Sequence, residues 1–304
     1  MKQSKKERWI IILTIAPSLV AVAVFVYGFI GWTALVSLSN WNGILPDYSF
    51  AGFKNFVEVF RNYRFVTDIL NNAFFSILFI GICVGGGLVL AIIVDQSVKG
   101  RDFFRNAFLF PMVISPVATA VAWKWIFSPK TGINALINIL IEKLGFEHTV
   151  EFKWLISTVK LGPFNVALIP LSIAACWTFT GYIMAMYLAA IRGIPSELVE
   201  SARVDGASDF QVYWKIILPL LKPITLGAII ILGHISLRMF DLFYVMSGRG
   251  PGFITDFPSI FMYEATFRAN RYGQGAAISL IMLAMVAVVI IPYLKISLRK
   301  GVDD

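Results

Sequence analysis

The chain has 304 residues, 58% of them hydrophobic and 14% charged, with a formal net charge of +8. Mean hydropathy is +0.77, and the charged share lies well below the roughly 25% usual for soluble domains, which excludes an ordinary soluble protein. The basic residues are scattered along apolar spans, so a positive-inside membrane bias explains them better than nucleic-acid binding does.

Six apolar stretches, near residues 10–32, 73–94, 108–126, 167–189, 224–242 and 276–294, reach or approach the roughly 20 residues that cross a bilayer. They predict one all-α transmembrane domain over residues 1–304, without detectable internal repeats. The N-terminus, residues 95–105, residues 192–222 and the tail hold 14 of the 26 Lys and Arg in the smaller share of the polar sequence. That bias predicts both termini on the cytoplasmic side.

In chain order, Lys2, Lys5, Lys6 and Arg8 precede the first span, which is too long for a signal core and reads as an uncleaved anchor. Trp9 and Trp32 suit its two interfaces. Residues 33–72 contain Gly52-Phe53-Lys54-Asn55-Phe56, for which a short surface helix suffices. Asn71 and Asn72 are expected to cap the second span. Gly81 and Gly85, four apart and followed by Gly86 and Gly87, predict close helix packing. Pro111 and Pro116, with Ser115 between them, predict a bend in the third span, either shaping a path or serving packing alone.

In the loop 127–162, Ile133, Leu136, Ile137, Leu140, Ile141 and Leu144 form one stripe, predicting an amphipathic helix on the membrane or on a partner. His148 has no second ligand nearby and marks no metal site. The fourth span carries Cys176, Trp177, Thr178, Thr180, Gly181 and Tyr182. Trp177, Thr180 and Tyr182 are candidates for a substrate path, with aromatic helix packing as the alternative. Cys83 and Cys176 both lie within apolar runs and read as small core residues.

Residues 192–222 interrupt the apolar pattern with a charged helical hairpin. Pro195 suits a first helical turn, Glu197 and Glu200 its N-terminal end, and Leu198 and Ala202 share a face. Asp205-Gly206 breaks the helix. Ser208 and Gln211 then read as a capping box opening a second one, while Pro219 and Pro223 mark the start of the next span. Glu200-Ser201-Ala202, Gly206-Ala207, Ile216, Leu218 and Pro219 resemble the EAA loop of permease subunits from binding-protein-dependent ABC importers. The glycine lies ten residues before the isoleucine and thirteen before the proline, as in that family. Ser201 stands where the family usually has alanine.

His234, Ser236, Arg238 and Asp241 make the densest polar cluster in any span. Arg238 either snorkels outward or pairs with Asp241, and the cluster is either a substrate-facing edge or a structural rim. Phe240-Asp241-Leu242, Tyr244-Val245-Met246 and Ser247-Gly248-Arg249-Gly250-Pro251 resemble the FDxxYVLTxGGP pattern of the carbohydrate permeases, with Arg249 interrupting the glycine pair. Tyr263, Phe267 and Tyr272-Gly273-Gln274-Gly275-Ala276-Ala277, the GFKNF sequence and Trp154-Leu155 also look like that family's motifs.

The resemblance implies a six-helix maltose-type permease importing a sugar or oligosaccharide. Leu198, Glu200, Ser201, Ala202, Asp205, Gly206 and Ala207 would couple it to a cytoplasmic ATPase. Glu200 is expected to pair with a basic residue of that ATPase, with simple helix capping as the alternative. Trp177, Thr180, Tyr182, His234, Arg238 and Asp241 are the substrate-path candidates. The implied partners are a second, non-identical permease subunit, two ATPase subunits and an extracytoplasmic binding protein, with the chain multi-pass in the cell membrane among its lipids. No nucleic acid, metal or catalytic residue is expected. The chain has no GxxxxGK[ST] loop, so ATP and Mg belong to the partner ATPase. A glycerol-phosphate or other polar-solute importer is the alternative, and an ion-coupled secondary transporter a further one, which would show ionisable residues or broken helices at mid-membrane.

Overall fold

The computed structural model describes residues 5–96, 100–145, 149–162 and 164–300. Helix α1 (Lys5–Val22) continues through a π-helical stretch, Ala23–Gly28, into α2 (Phe29–Ser37). Then come α3 (Lys54–Arg61), α4 (Tyr63–Asp95), α5 (Arg101–Val113), α6 (Pro116–Ile126) and α7 (Gly132–Lys143). A two-residue antiparallel ribbon, β1 (Lys160–Leu161) with β2 (Phe164–Asn165), precedes α8 (Leu168–Arg192), α9 (Ser196–Val204) and α10 (Asp209–Val212). A π-helical stretch, Tyr213–Ile217, and α11 (Leu218–Leu220) lead to α12 (Lys222–Arg238), α13 (Asp241–Met246), α14 (Pro258–Tyr263) and α15 (Tyr272–Lys300). The fold is all-α and multi-spanning.

Three helical segments, Ile12–Ser37, Tyr63–Asp95 and Leu168–Arg192, are long and apolar enough to cross a membrane. Two further pairs qualify only as bent units: Asp102–Val113 with Pro116–Ile126, bent by 98°, and Asp209–Leu220 with Lys222–Arg238, bent by 60°. The third predicted stretch, 108–126, is therefore two helices. Proline disfavours helical backbone in the residue before it, and Ser115 is extended (ψ 133°) ahead of Pro116, which opens α6. The fifth, 224–242, also breaks: α12 stops at Arg238, Met239 is extended (ψ 120°), and α13 begins at Asp241.

The chain divides into two compact units, residues 1–63 with 261–284, and residues 64–260 with 285–304. In the first, Asn55 is buried and its Nδ2 donates to the carbonyls of Ser37 and Ser39, both at 2.8 Å. The Ser37 carbonyl is one of those left over at the end of α2. The Gly273 amide donates to the Trp41 carbonyl at 2.8 Å, and the Trp41 and Tyr272 rings lie 4.7 Å apart. A Cβ on Gly273 would come within 2.8 Å of the Asn55 amide. The GFKNF and YGQG sequences therefore serve one packing joint.

In the second unit, Phe75, Phe79, Phe243 and Phe257 are fully or almost fully buried, with Phe243 edge-on to Phe75 at 4.8 Å. Helix α5 packs against α8, and Gly181 permits it, because a Cβ there would strike the Phe108 carbonyl. The expected approach is not made within this chain at Gly81 and Gly85, where no atom of the described residues would lie within 4 Å of a Cβ. Close packing occurs one and two positions after Gly85, where a Cβ at Gly86 would meet Thr180 at 3.3 Å and one at Gly87 would meet Ile183 at 2.8 Å. Cys83 and Cys176 are buried free thiols in this contact region.

Asn71 and Asn72 do not cap α4, which begins eight residues earlier at Tyr63. They reach outward instead. Asn71 Nδ2 donates to the Phe253 and Asp256 carbonyls, each at 3.0 Å, and Asn72 Nδ2 to the Ser236 carbonyl at 3.1 Å. Ser236 lies in the last turn of α12, where carbonyls lack helical partners, so a side-chain amide completes the bonding without water.

Helix α7 forms where the stripe predicts a helix, but Ile133 packs on the core and the asparagine side turns inward. Asn134 is fully buried, donates to the Pro129 and Phe152 carbonyls at 2.9 Å each, and accepts from Trp154 Nε1 at 2.8 Å. Leu136, Leu140 and Leu144 are exposed. His148 lies outside the described residues.

Candidate functional site

Two features of the second unit bear on function, a surface hairpin and a cavity between broken helices. The hairpin starts where Pro195 (ψ 130°) takes the N-cap of α9, one position before the helix rather than in its first turn. Gly206, at φ +85°, turns the chain in the left-handed region that a side chain would strain. The capping box is present: Ser208 Oγ accepts from the Gln211 amide at 3.4 Å, and Gln211 Oε1 from the Ser208 amide at 2.9 Å. Arg203 closes the turn against Asp209 at 2.9 Å. Both side chains are well exposed, so this pair contributes about 0–1 kcal/mol.

Of the predicted coupling residues, Leu198, Glu200, Ser201, Asp205 and Gly206 are exposed, and Glu200 holds no ion pair among the described residues. Ala202 and Ala207 are half-buried, packed with Val199 against the core. The shared face of Leu198 and Ala202 is therefore split, since only Leu198 faces out. Asp205, Gly206, Gln211, Lys215 and Ile216 join the two alanines around a concavity of about 440 Å³. Val204, 87% exposed, and the stacked pair Phe210 and Trp214 stand out beside it and were not singled out from sequence. The missed signal is local: large apolar residues in a hairpin otherwise polar.

The cavity, about 370 Å³, lies where both helix breaks meet α8. Met112, Ile114 and Pro116 line it from the α5–α6 break, Thr178 and Phe179 from α8, and Ile235 with Arg238–Leu242 from the α12–α13 break. Its size falls within the range of small-molecule sites. Helix α6 packs on α13, so the second halves of the two broken segments stand together.

Among the path candidates, Arg238 and Asp241 line this cavity. They form no ion pair with each other; Arg238 Nη1 lies 3.3 Å from His234 Nε2 instead. Trp177, Thr180, Tyr182 and His234 are not among the lining residues. Trp177 is edge-on to Trp123 at 6.0 Å, and Thr180 Oγ1 donates to the Cys176 carbonyl at 2.6 Å. Thr178 and Phe179, one or two positions along, take the lining places.

The loop after α13 is anchored by charge. Arg64 Nε meets Asp256 Oδ2 at 2.5 Å, with Asp256 fully buried. Burial pushes the Asp256 carboxyl up, and the Arg64 guanidinium pulls it back. No cluster of His, Cys, Asp and Glu suited to a metal occurs among the described residues.

A family model described as binding-protein-dependent transport system inner membrane component matches residues 83–297. The chain is 36% identical over 284 residues to a probable ABC transporter permease protein of Pyrococcus horikoshii, covering 93% of this chain and 94% of the relative. It is 33% identical to a xylose/arabinose import permease protein of Haloferax volcanii, covering 93% and 86%. Its backbone is similar to a chain in the crystal structure of a bacterial ABC transporter involved in the import of the acidic polysaccharide alginate. That match has a TM-score of 0.80 at 22% identity and covers 97% and 96% of the two chains. At such identity the likeness is one of fold.

Proposed function

Because the chain belongs to the family of binding-protein-dependent transport system inner membrane components, we propose that it forms half of the membrane path of an ATP-driven importer for a sugar or oligosaccharide. It is a multi-pass permease component of an ABC-type importer, a transport subunit rather than an enzyme. The finer substrate class rests on relatives such as the xylose/arabinose import permease protein and on the FDLFYVM and GRGP sequences of residues 240–251.

The observation that carries the coupling is the exposed hairpin, with its glycine turn, its capping box and Glu200, which holds no ion pair among the described residues. Leu198, Glu200 and Val204 would meet a groove of a cytoplasmic ATPase, with both chain termini on the same side. ATP-driven closure of two ATPases would draw this hairpin toward that of a second permease subunit. The cavity would then open to a substrate-loaded binding protein on the other face. Broken helices carrying Arg238 and Asp241 also suit an ion-coupled carrier, but such a carrier leaves the hairpin without a role.

The test is purification of the tagged chain in mild detergent with its co-expressed partners. Recovery of an ATPase and a second permease, both lost on Glu200→Ala, is the expected result. A chain that purifies alone and transports in ATP-free liposomes would overturn the reading.

A further inference from the structure

Away from the hairpin and the helix breaks, the second unit carries a cavity of about 300 Å³ at the end of α6, walled by the loop that follows α7 and by the end of α13. Lys124 and Lys153 both line it, and no carboxylate is among its lining residues. Neither ammonium holds an ion pair among the described residues. Lys124 Nζ has only the Val245 carbonyl beside it, at 3.5 Å. Two like charges on one concavity raise its energy, which an anion would relieve. The walls are fixed in place. Asn134 donates to the Pro129 and Phe152 carbonyls, at 2.9 Å each, and so ties the residue before Lys153 to the chain that leaves α6. The Phe127 ring is stacked on Trp123 at 5.5 Å. Ser128 and Ser247 add hydroxyl groups to the same lining.

We propose that this cavity holds the phosphate of an anionic phospholipid headgroup, with Lys124 and Lys153 as its counter-charges and the Ser128 and Ser247 hydroxyls as donors. Ammonium groups offer donors only, and their hydrogen bonds to phosphate oxygens are charge-assisted. The surroundings select a lipid over a soluble anion. Trp125, on the same end of α6, is 64% exposed, and α7 exposes Leu136, Leu140 and Leu144. An exposed indole at the end of an apolar helix and a stripe of leucines suit a membrane interface, where lipid covers both. A free anion, or an acidic patch on a soluble protein, would leave them facing water. Phe127, Leu155 and Met246 give the cavity apolar walls for the carbons of the headgroup. The site needs the chain to lie in a membrane and depends neither on the transported solute nor on an ATPase.

The test uses the full chain with its co-expressed partners in nanodiscs of phosphatidylcholine alone or of equal parts phosphatidylcholine and phosphatidylglycerol, with bound lipid read by native mass spectrometry. The wild-type protein is expected to retain phosphatidylglycerol over phosphatidylcholine. Each lysine near a headgroup is worth about a fivefold factor, so Lys124→Gln with Lys153→Gln should lower that retention about thirtyfold. Lys124→Arg with Lys153→Arg should keep it. Lys143→Gln with Lys160→Gln, exposed lysines outside the lining, should lower it less than about twofold. A photoactivatable phosphatidylglycerol, which needs no variant, should label the wild-type chain within residues 124–129 or 153–156. Equal retention of the two lipids, an equal loss from the two glutamine pairs, or labelling elsewhere overturns the site. Displacement of phosphatidylglycerol by inorganic phosphate overturns the lipid as occupant. Unchanged lipid retention in the Lys124 and Lys153 glutamine pair, with weaker capture of a binding protein, overturns it in favour of protein docking.

Discussion

Arg64, in the first turn of α4, holds Asp256 at 2.5 Å across 192 residues of sequence, with the carboxylate wholly out of solvent. Asn71 binds the Phe253 and Asp256 carbonyls from the same helix, so the loop after α13 is fastened at two levels. Phe253 sits at φ +65°, a conformation a bulky residue keeps only when its surroundings impose it. Removing the arginine alone should therefore be severe. Arg64→Ala leaves a buried carboxylate without its cation and should cost about 3–5 kcal/mol. Arg64→Lys, which keeps a cation beside Asp256, should cost less than Arg64→Ala, as read by thermal unfolding in detergent.

The glycines of α4 and α8 make a contrasting set. Gly181→Ala places a methyl against the Phe108 carbonyl and should destabilise by about 1–3 kcal/mol as α5 is pushed off α8. Gly81→Ala meets nothing within 4 Å among the described residues and should be neutral or stabilising by about 0.5–1 kcal/mol. Melting temperatures of the two variants, compared side by side, check both.

Asn134 is the tie under the loop helix α7. Asn134→Ala would take a partner from the Trp154 indole and the Pro129 carbonyl and leave the Phe152 carbonyl only the Trp154 amide, an expected loss of about 1–3 kcal/mol. The Trp154 emission should also shift. Leu140→Gln, on the exposed stripe of the same helix, should leave stability within about 0.5 kcal/mol. Reduced uptake by that variant would mark the stripe as a contact surface.

On the hairpin, stability and coupling should separate. Ser208→Ala removes the cap of α10 and should cost about 0.5–2 kcal/mol locally, seen as faster amide exchange over residues 208–212. Glu200→Ala touches an exposed side chain that holds no ion pair among the described residues, so the melting temperature of the isolated chain should be unchanged while ATP-driven uptake falls.

How much was legible in sequence depended on the range of the forces involved. Ser208 and Gln211 bind across three residues and Gly206 turns its own backbone, so the hairpin could be read from local spacing alone. Apolar length and Lys/Arg bias likewise carried the membrane class, because a bilayer selects for hydropathy residue by residue. The family motifs carried the importer resemblance.

Tertiary structure decided what depends on distant neighbours. Gly81, Gly85, Gly86 and Gly87 are equivalent in sequence, and the position of Thr180 and Ile183 selected the last two. Asn71 and Asn72 looked like caps because asparagine suits helix ends, yet loose carbonyls near residues 236 and 253–256 claimed them. The cavity is the clearest case. Two chain breaks and one face of α8, more than a hundred residues apart at their extremes, had to meet before Arg238 and Asp241 could be seen to share a space without touching.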